Sequence, residues 1–411
     1  MQHRTTRARL ATAVAAVLAV TALGAGTLAA APAAFAAPAG PVAEPVTVLG
    51  SQVPATVNLD RTGGEVTLGW TLSDPAAYIL VTLTHTATGR QYQQFAHSPT
   101  GDEHFSFAWD GHIGDVDGPN GAYAVEAEVT PLDGVTESTY ARSRMTLSRT
   151  PNPHDHTNNG STDVLARDAA GVLWRDDLRD RPVNGLARTA QRTRIGSGWN
   201  TYRQIEAVGS TGGAAHGDLV ALDGSGVLWH YLGKGDGTFT PRTRIGAGWG
   251  AYNKITGGSD LDGDGRSDLL ATDTSGVLWS YKGTGDGARP FATRVRVGGG
   301  WGVYDQLTAV GDIAGAAAGD LVARDKDGVL WLYLGKGDGT FAGRIHVGGG
   351  WGAFSQLVGA GDVDADGRPD LIAYGAGGTF VYRSTGSGTR PFVRMGTDLY
   401  AGQGTRFTAV A

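Results

Sequence analysis

An internal repeat dominates the chain after its first third. From Asp155 onward a unit of about 50 residues recurs five times, and the segment that starts at Gly217 returns nearly unchanged at Gly319. Repeats of this length that are built from short apolar runs and glycine-rich turns are typical of β-propellers and related β arrays. The repeat therefore favours several copies of one small β unit. An aspartate opens the main apolar run of every copy: Asp163, Asp218, Asp268, Asp320 and Asp370.

Each copy contains four runs that are typical of β-strands. In the third copy they are YNKITGG, DLLATD, VLWSYKG and TRVRVGG, which lie between Tyr252 and Gly300. Asp273 and Gly276 occupy the first and fourth positions of the turn between the second and third runs, as in a type I β-turn. Four antiparallel strands make one propeller blade. We therefore predict a five-bladed β-propeller of four-stranded blades over residues 149–411.

The two ends of the repeat region favour a closed ring. The first copy begins at Asp155 without a first-strand pattern, whereas the last copy continues into GTRFTAVA, which aligns with first strands such as GAYNKITG. We expect Thr405–Ala411 to supply the first strand of the first blade, which would leave few bare sheet edges. An open array of blades is the alternative.

Two copies carry an aspartate-rich loop before the second strand. Its pattern is D-x-D-x-D-G-x-x-D. Carboxylates at alternate positions converge if the loop coils around a centre, the glycine permits the sharp turn, and the residue at position seven offers a backbone carbonyl. Hard oxygen ligands suit Ca²⁺ better than zinc or copper. The expected ligands are Asp260, Asp262, Asp264, Arg266 and Asp268 in one loop, and Asp362, Asp364, Asp366, Arg368 and Asp370 in the other.

The other three loops depart from this pattern. The first retains two carboxylates and two neutral oxygens, from Asp155, Thr157, Asn159 and Asp163, and is a candidate for a weaker site. The second and fourth loops have lost their central ligands and should not bind calcium. Because the final aspartate persists in all five copies, we expect it to cap a turn independently of any metal.

The aspartate loops and the GVLW…GDGTF spacing resemble the FG-GAP/VCBS family of calcium-loop β-propellers, over residues 155–411. Members occur in integrin α-subunit heads, fungal lectins and secreted bacterial proteins, and they bind sugars or proteins or accompany enzymes. Integrin-like members typically have seven blades, whereas this chain supplies five repeats. The resemblance implies a binding role without fixing the ligand, since one fold supports many functions.

A second tryptophan recurs after a glycine-rich turn in four copies. Tryptophans at fixed blade positions usually pack between blades, but exposed aromatic rings also stack on sugars. Both interpretations apply to the candidate ligand-binding residues Trp199, Trp249, Trp301 and Trp351.

Residues 46–148 lack the repeat and show alternating runs such as EVTLGWTL and AYAVEAEV. This density of short strands predicts a small antiparallel sandwich. The segment from Trp109 to Val129 resembles the Ig-like domain of flagellar hook-capping proteins. The expected fold is therefore all-β, a small Ig-like β-sandwich followed by the propeller, with the sandwich as a stalk or docking module.

The N-terminal region predicts secretion. Residues 1–36 combine three arginines, an apolar Ala/Val/Leu run and the A-x-A site that ends at Ala36, as in a signal peptide, and residues 37–45 form a Pro/Ala-rich linker. A membrane anchor is the alternative for this run. No other stretch is long and apolar enough to span a membrane. The excess of 40 acidic over 34 basic residues argues against nucleic acid as a partner.

The function expected from the sequence is a secreted, non-catalytic, calcium-stabilised binding module for carbohydrate or cell-wall glycan. The absence of cysteine excludes a thiol nucleophile and a Cys-ligated zinc site, and no local hydrolase or phosphate-loop motif is present. Protein adhesion is the second interpretation. A secreted hydrolase whose site is dispersed over several loops is the third.

Overall fold

The computed structural model describes residues 44–114, 116–178, 191–213, 216–316 and 318–411. Within these residues the regular elements are β-strands and single 3₁₀ turns, so the prediction of an all-β fold is confirmed. The signal peptide and nearly all of the linker fall outside them. In the part of the chain that is described, no helix is long and apolar enough to cross a membrane.

Two sheets and a short ribbon form the N-terminal region. A three-stranded sheet has the order β1-β3-β6, a five-stranded sheet has the order β2-β10-β9-β4-β5, and β7 pairs with β8. The strands are β1 Val48–Gln52, β2 Thr56–Asn58, β3 Val66–Leu72, β4 Ala77–His85, β5 Gln91–Ala96, β6 His104–Trp109, β7 His112–Ile113, β8 Val116–Asp117, β9 Gly121–Pro131 and β10 Thr139–Ser148.

One core joins these two larger sheets. Burial alternates along β9, as expected for a strand with one face on a core and the other toward water. Trp70 and Trp109, from the three-stranded sheet, belong to the same buried cluster as Ile79 and Tyr123 from the five-stranded sheet. The Tyr123 hydroxyl donates to the Pro119 carbonyl at 2.7 Å, so the ring is buried without losing its hydrogen bond.

The repeats form five four-stranded antiparallel sheets in the described part of the chain, with orders β13-β12-β11-β30, β14-β15-β16-β17, β18-β19-β20-β21, β22-β23-β24-β25 and β26-β27-β28-β29. The prediction of four strands per repeat is confirmed. The strands are β11 Asp163–Asp168, β12 Leu173–Asp177, β13 Gln191–Gly196, β14 Tyr202–Gly209, β15 Asp218–Asp223, β16 Leu228–Tyr231, β17 Thr243–Gly246, β18 Tyr252–Ser259, β19 Asp268–Asp273, β20 Leu278–Tyr281, β21 Val295–Gly298, β22 Tyr304–Gly311, β23 Asp320–Asp325, β24 Leu330–Tyr333, β25 Ile345–Gly348, β26 Phe354–Gly361, β27 Asp370–Gly375, β28 Gly378–Ser384, β29 Phe392–Arg394 and β30 Phe407–Val410.

A 3₁₀ turn precedes the first strand of four sheets. Each begins with the tryptophan that follows the glycine-rich turn, and a further turn lies in the N-terminal region. The five turns are Leu59–Arg61, Trp199–Thr201, Trp249–Ala251, Trp301–Val303 and Trp351–Ala353.

The turn between the second and third strands repeats the same contacts. In the second sheet Gly226 donates to the Asp223 carbonyl, and an Asp223 carboxylate oxygen accepts the indole N–H of Trp229 at 2.8 Å. Gly226 has φ of +77°, and a Cβ there would lie 2.7 Å from the Gly250 nitrogen, so both conformation and space require glycine. The aspartate and glycine of the motif therefore have separate structural roles.

Successive sheets pack face to face through buried apolar clusters. Leu222 and Leu228 of the second sheet, for example, share a cluster with Leu269 of the third. An equivalent cluster joins the last sheet to the first, with Ile372 on one side and Val164 on the other. Burial of this apolar surface is the main stabilising contribution between neighbouring sheets.

The C-terminal strand belongs to the first sheet, as predicted. β30 pairs antiparallel with β11, and the Leu165 N–H donates to the Ala411 carbonyl at 2.7 Å. The last sheet also holds this strand, because the Tyr374 hydroxyl accepts the N–H of Phe407 at 2.8 Å. One strand thus connects the two sheets that are farthest apart in sequence.

Candidate functional site

The loop before β19 brings three aspartates together. Oxygens of Asp260, Asp262 and Asp268 lie within 4.8 Å of one another. Backbone N–H groups shape the loop: Asp260 accepts from Gly263 and Gly265, each at 2.8 Å, and Asp268 accepts from Leu261 at 2.9 Å. The loop therefore coils around its first carboxylate, as the motif predicts.

The loop before β27 repeats this arrangement with Asp362, Asp364 and Asp370. Burial raises the pKa of Asp362 to about 6 and that of Asp370 to about 8, and neighbouring carboxylates add to both shifts. In the earlier loop burial raises the pKa of Asp268 to about 6. Both clusters thus hold crowded carboxylates whose ionised forms a cation would stabilise.

The aspartate at the fifth loop position lies outside each of these clusters. The Asp264 carboxylate lies 3.0 Å from an Arg266 guanidinium nitrogen, and it also accepts the Arg266 backbone N–H. Asp366 and Arg368 form the same pair at 2.6 Å. Both carboxylates thus have a basic partner two residues away, and their roles as ligands stay predictions. The roles predicted for the Arg266 and Arg368 carbonyls stay predictions.

Two basic residues of the third strands reach the clusters, which the sequence analysis missed. The Lys282 ammonium lies 2.5 Å from Asp262, and the Arg383 guanidinium lies 3.6 Å from Asp364. Each stands three residues after the aromatic residue of its third strand. The equivalent residues in the other copies are aspartate or leucine. A comparison of the five copies at this position could therefore have predicted the basic residues near the clusters.

The first loop takes a different form. The Asp163 carboxylate accepts N–H groups of His156 and Thr157, and its other oxygen lies 3.4 Å from the Arg175 guanidinium. Asp155 accepts from Asn159 and Gly160 instead. Among the described residues, three acidic or histidine side chains do not converge here. A guanidinium already balances Asp163, and the weaker metal site predicted for Asp155, Thr157, Asn159 and Asp163 gains no support.

The final loop aspartate has a structural role in loops with and without the full motif. Asp218 and Asp320, in the two loops that lack central ligands, accept the backbone N–H of Gly233 and Gly335 at 2.8 and 3.0 Å. Asp268 and Asp370 accept equivalent bonds from Gly283 and Ser384. The prediction of a turn cap that is independent of metal is confirmed by these four bonds.

The candidate ligand-binding tryptophans are core residues. Trp199, Trp249, Trp301 and Trp351 are only 7–8% exposed. The Trp249 ring stacks on Tyr281 with centroids 4.7 Å apart, so a neighbouring aromatic ring takes a face that a sugar would need. Their burial supports the packing interpretation and gives no support to sugar contact.

The tryptophans in the third strands of the second, third and fourth sheets are half-buried, and an arginine lies over each of their rings. Arg242, Arg294 and Arg344 lie 4.0–4.1 Å from the ring centroids of the tryptophans in their own sheets. The Arg242 guanidinium also donates to the Tyr202 hydroxyl at 2.6 Å. Cation–π contacts of this kind stabilise the outer part of each sheet. The tryptophans are Trp229, Trp279 and Trp331.

A cavity of about 260 Å³ lies where the first strands of the sheets begin, and residues of β14, β18, β22, β26 and β30 line it. We call it the axial pocket. Glu206 lines both this pocket and a void of about 20 Å³ that His154 also lines. Burial raises the pKa of Glu206 to about 8 and lowers that of His154 to about 3, so both side chains are mainly neutral at pH 7.

Comparison with known proteins identifies the repeat. Residues 318–373 match the family model of the FG-GAP-like repeat. No match was found among the curated proteins.

Solved structures similar to this chain include two lectins and a lactonase. A lectin of Agrocybe aegerita that recognises non-reducing terminal N-acetylglucosamine is 17% identical, covering 83% of this chain and 96% of the lectin, with a TM-score of 0.37. The BP39L lectin of Burkholderia pseudomallei is 14% identical, covering 84% and 100%, with a TM-score of 0.36. The periplasmic gluconolactonase PpgL of Pseudomonas aeruginosa is 12% identical, covering 82% and 98%, with a TM-score of 0.30.

Proposed function

We propose that this chain is a secreted, non-catalytic, calcium-stabilised binding module whose five repeats form a closed five-bladed β-propeller that binds carbohydrate or cell-wall glycan. The observation that carries the proposal is the convergence of three aspartate oxygens in the two loops that have the complete motif. The other described loops of the repeats do not form such a cluster. Sequence pattern and geometry therefore select the same two loops.

The apolar clusters between sheets support the closed ring. Each of five clusters combines residues of two successive sheets, and one of them joins the last sheet to the first. In an open array the first and last sheets would each expose an apolar face to water, which is unfavourable. The pairing of β30 with β11 adds a backbone connection at the same junction.

The chemistry of the two clusters supports calcium as the ion. Each cluster offers only carboxylate oxygens, which hard cations prefer to nitrogen or sulfur ligands. Burial and mutual repulsion raise the pKa of Asp268 and Asp370, so binding a divalent cation would relieve an unfavourable arrangement of charge. The neutral oxygens of water would complete the coordination of an ion held by three aspartates.

The glycan assignment rests on the resemblance of the repeats to a family whose members bind sugars or proteins. Burial of the tryptophans after the glycine-rich turns moves any sugar site away from their rings. The polar lining of the axial pocket supplies amide, hydroxyl and charged groups suited to a hydroxylated ligand. The N-terminal sandwich would then act as an Ig-like stalk.

Calorimetric titration of the mature protein with calcium tests the proposal. We expect two ions per chain with dissociation constants of ~10⁻⁴–10⁻³ M, which at ~2 mM calcium stabilises the fold by roughly 0.6–1.8 kcal/mol per site. Asp262→Ala should reduce the stoichiometry to one. Asp312→Ala, in a loop that lacks the motif, is the matched control and should leave two. A protein that takes up no calcium at millimolar concentration would contradict the proposal.

Protein adhesion is the second candidate, and an aromatic row on the N-terminal region favours it. Tyr78, Phe95 and Tyr140 are 42%, 47% and 51% exposed on the outer face of the five-stranded sheet. Exposed aromatic side chains are enriched at protein interfaces. Pull-down from cell surfaces with the full chain and with Phe95→Ser would test it: loss of a captured protein in the variant, with unchanged glycan binding, would favour adhesion.

A further inference from the structure

The segment that leads into the repeats lies at the far ends of the strands that line the axial pocket. Pro153, in the segment that leads from the N-terminal region into the repeats, packs against Gly209 and Gly258, where a Cβ would approach the Pro153 ring to 3.3 and 3.6 Å. These glycines lie at the far ends of β14 and β18, whereas the axial pocket lies where those strands begin. Glu206 lines both the pocket and the small inner void.

Two amide oxygens in the pocket lining lack a protein partner. Gln204 and Gln306 donate their amide N–H groups to the carbonyls of Asn253 and Leu357, at 3.3 and 2.8 Å. Their amide oxygens are buried and accept no hydrogen bond from the described residues. A buried acceptor without a donor is unfavourable. Because both glutamines line the pocket, a ligand with O–H donors would satisfy these oxygens once the amide groups turn toward it.

The charges that line the pocket are unequally balanced. Arg324 forms two contacts with Asp305, at 2.9 and 3.2 Å, so this pair is neutral overall. Lys254 is the only lysine among the described lining residues, and its one hydrogen bond is to the Asn253 side chain at 3.4 Å. Arg203 contributes a second positive charge and donates to backbone carbonyls through a single nitrogen. Glu206, the other acidic residue of the described lining, is kept mainly neutral at pH 7 by burial, so Lys254 and Arg203 leave the lining with a net positive charge.

We propose that the axial pocket binds a sugar acid such as a hexuronic acid, with the carboxylate at Lys254 and Arg203 and the hydroxyl groups at the amide oxygens of Gln204 and Gln306. The inference rests on the proposed glycan-binding function and names the chemical class of ligand for it. The volume of about 260 Å³ lies just below the range typical of drug-sized ligands, which suits one terminal sugar residue.

The experiment is calorimetric titration of the full chain, saturated with calcium, with glucuronate, galacturonate and glucose. We expect the two uronates to bind and glucose to bind at least about tenfold more weakly, because it lacks the charge-assisted contact. Lys254→Met should weaken uronate binding by a similar factor, whereas Lys254→Arg should retain most of it. Lys234→Met, which removes an exposed lysine of a blade turn, is the matched control and should bind like the wild type.

Three results would overturn the inference: no uronate binding at millimolar concentration, equal affinity for glucose and glucuronate, or unchanged affinity in Lys254→Met. Melting curves establish that each variant is folded, and Gln306→Leu provides a second variant if Lys254→Met does not fold. Calcium binding is measured on the same samples. A protein that still binds two calcium ions and neutral glycans but not uronates would refute the pocket assignment and leave the proposed function standing.

Discussion

At the scale of single residues, the final aspartate of the loops has a structural role that is distinct from metal binding. Asp218 belongs to a loop without the calcium motif, yet it caps the Gly233 N–H and lies 3.7 Å from the His230 ring. In the first loop Arg175 lies beside Asp163. In two of the copies that lack the complete motif, a histidine or an arginine thus lies near this carboxylate. The turn cap is common to the fold, and the ion is an addition to it.

Trp249→Ala should destabilise the protein rather than weaken ligand binding selectively. The ring is 7% exposed and stacks on Tyr281, so truncation leaves a cavity between the second and third sheets. The expected cost is about 3–5 kcal/mol, measured by urea denaturation. Trp279→Ala, at a half-buried position, should cost less. A Trp249→Ala protein with wild-type stability and reduced glycan binding would restore the sugar-stacking interpretation.

The sequence predicts which residues enter the metal loops but not the direction of every side chain. Motif spacing places Asp260, Asp262 and Asp268 together, because the loop backbone determines these positions. It does not show that Asp264 pairs with Arg266, since local ion pairs depend on rotamers. The sequence also does not determine whether Trp249 is buried, because a fixed position in a repeat is compatible with both packing and ligand contact.

At the scale of elements, each metal loop works together with the third strand of its sheet. The Lys282 side chain extends from the end of β20 to Asp262, and Arg383 extends from β28 to Asp364. The hydrogen bond and charge of Asp262 raise the pKa of Lys282, so the ammonium stays protonated at neutral pH. These basic residues act as counter-ions for the crowded carboxylates and would compete with a bound cation.

Lys282→Met should therefore tighten calcium binding at the first metal loop. Removal of the competing ammonium frees Asp262, and the expected gain is about two- to fivefold in affinity, larger at low ionic strength. Titration of Lys282→Met in an Asp364→Ala background isolates the loop. Lys336→Met, which alters a lysine of a different repeat, should leave the affinity unchanged. Weaker calcium binding in Lys282→Met would show that the lysine assists the site instead.

The elements themselves follow from short-range sequence signals. The turn at Asp273–Gly276 and the strands on either side form as predicted, because residue preferences and alternation act over a few positions. Lys282 was missed because its contact with Asp262 spans two strands, and the loop pattern alone has no signal for it. Comparison of the repeats does contain such a signal, because another residue replaces the lysine in the copies whose loop lacks the motif.

At the scale of the whole molecule, stability depends on contacts between neighbouring sheets. Each cluster joins two successive sheets, and one of them joins the last sheet to the first. That junction includes a strand from the opposite end of the repeat region. Tyr374 contacts this strand through its hydroxyl, and Phe407 belongs to the cluster that the two sheets share.

Deletion of Thr405–Ala411 should lower the melting temperature sharply and promote aggregation. It removes β30, exposes the edge of β11 and uncovers the cluster around Phe407 and Val410. A synthetic peptide with the sequence TRFTAVA, added in excess, should recover part of the lost stability, whereas a scrambled peptide of equal composition should not. Calorimetric melting of the full and truncated chains, with each peptide, measures both effects. If the truncated chain melts like the full chain, the junction does not hold the repeats together and the closed five-bladed ring is wrong. If it melts early but neither peptide helps, the loss reflects the cluster rather than strand pairing, and Phe407→Ala in the full chain should then reproduce it.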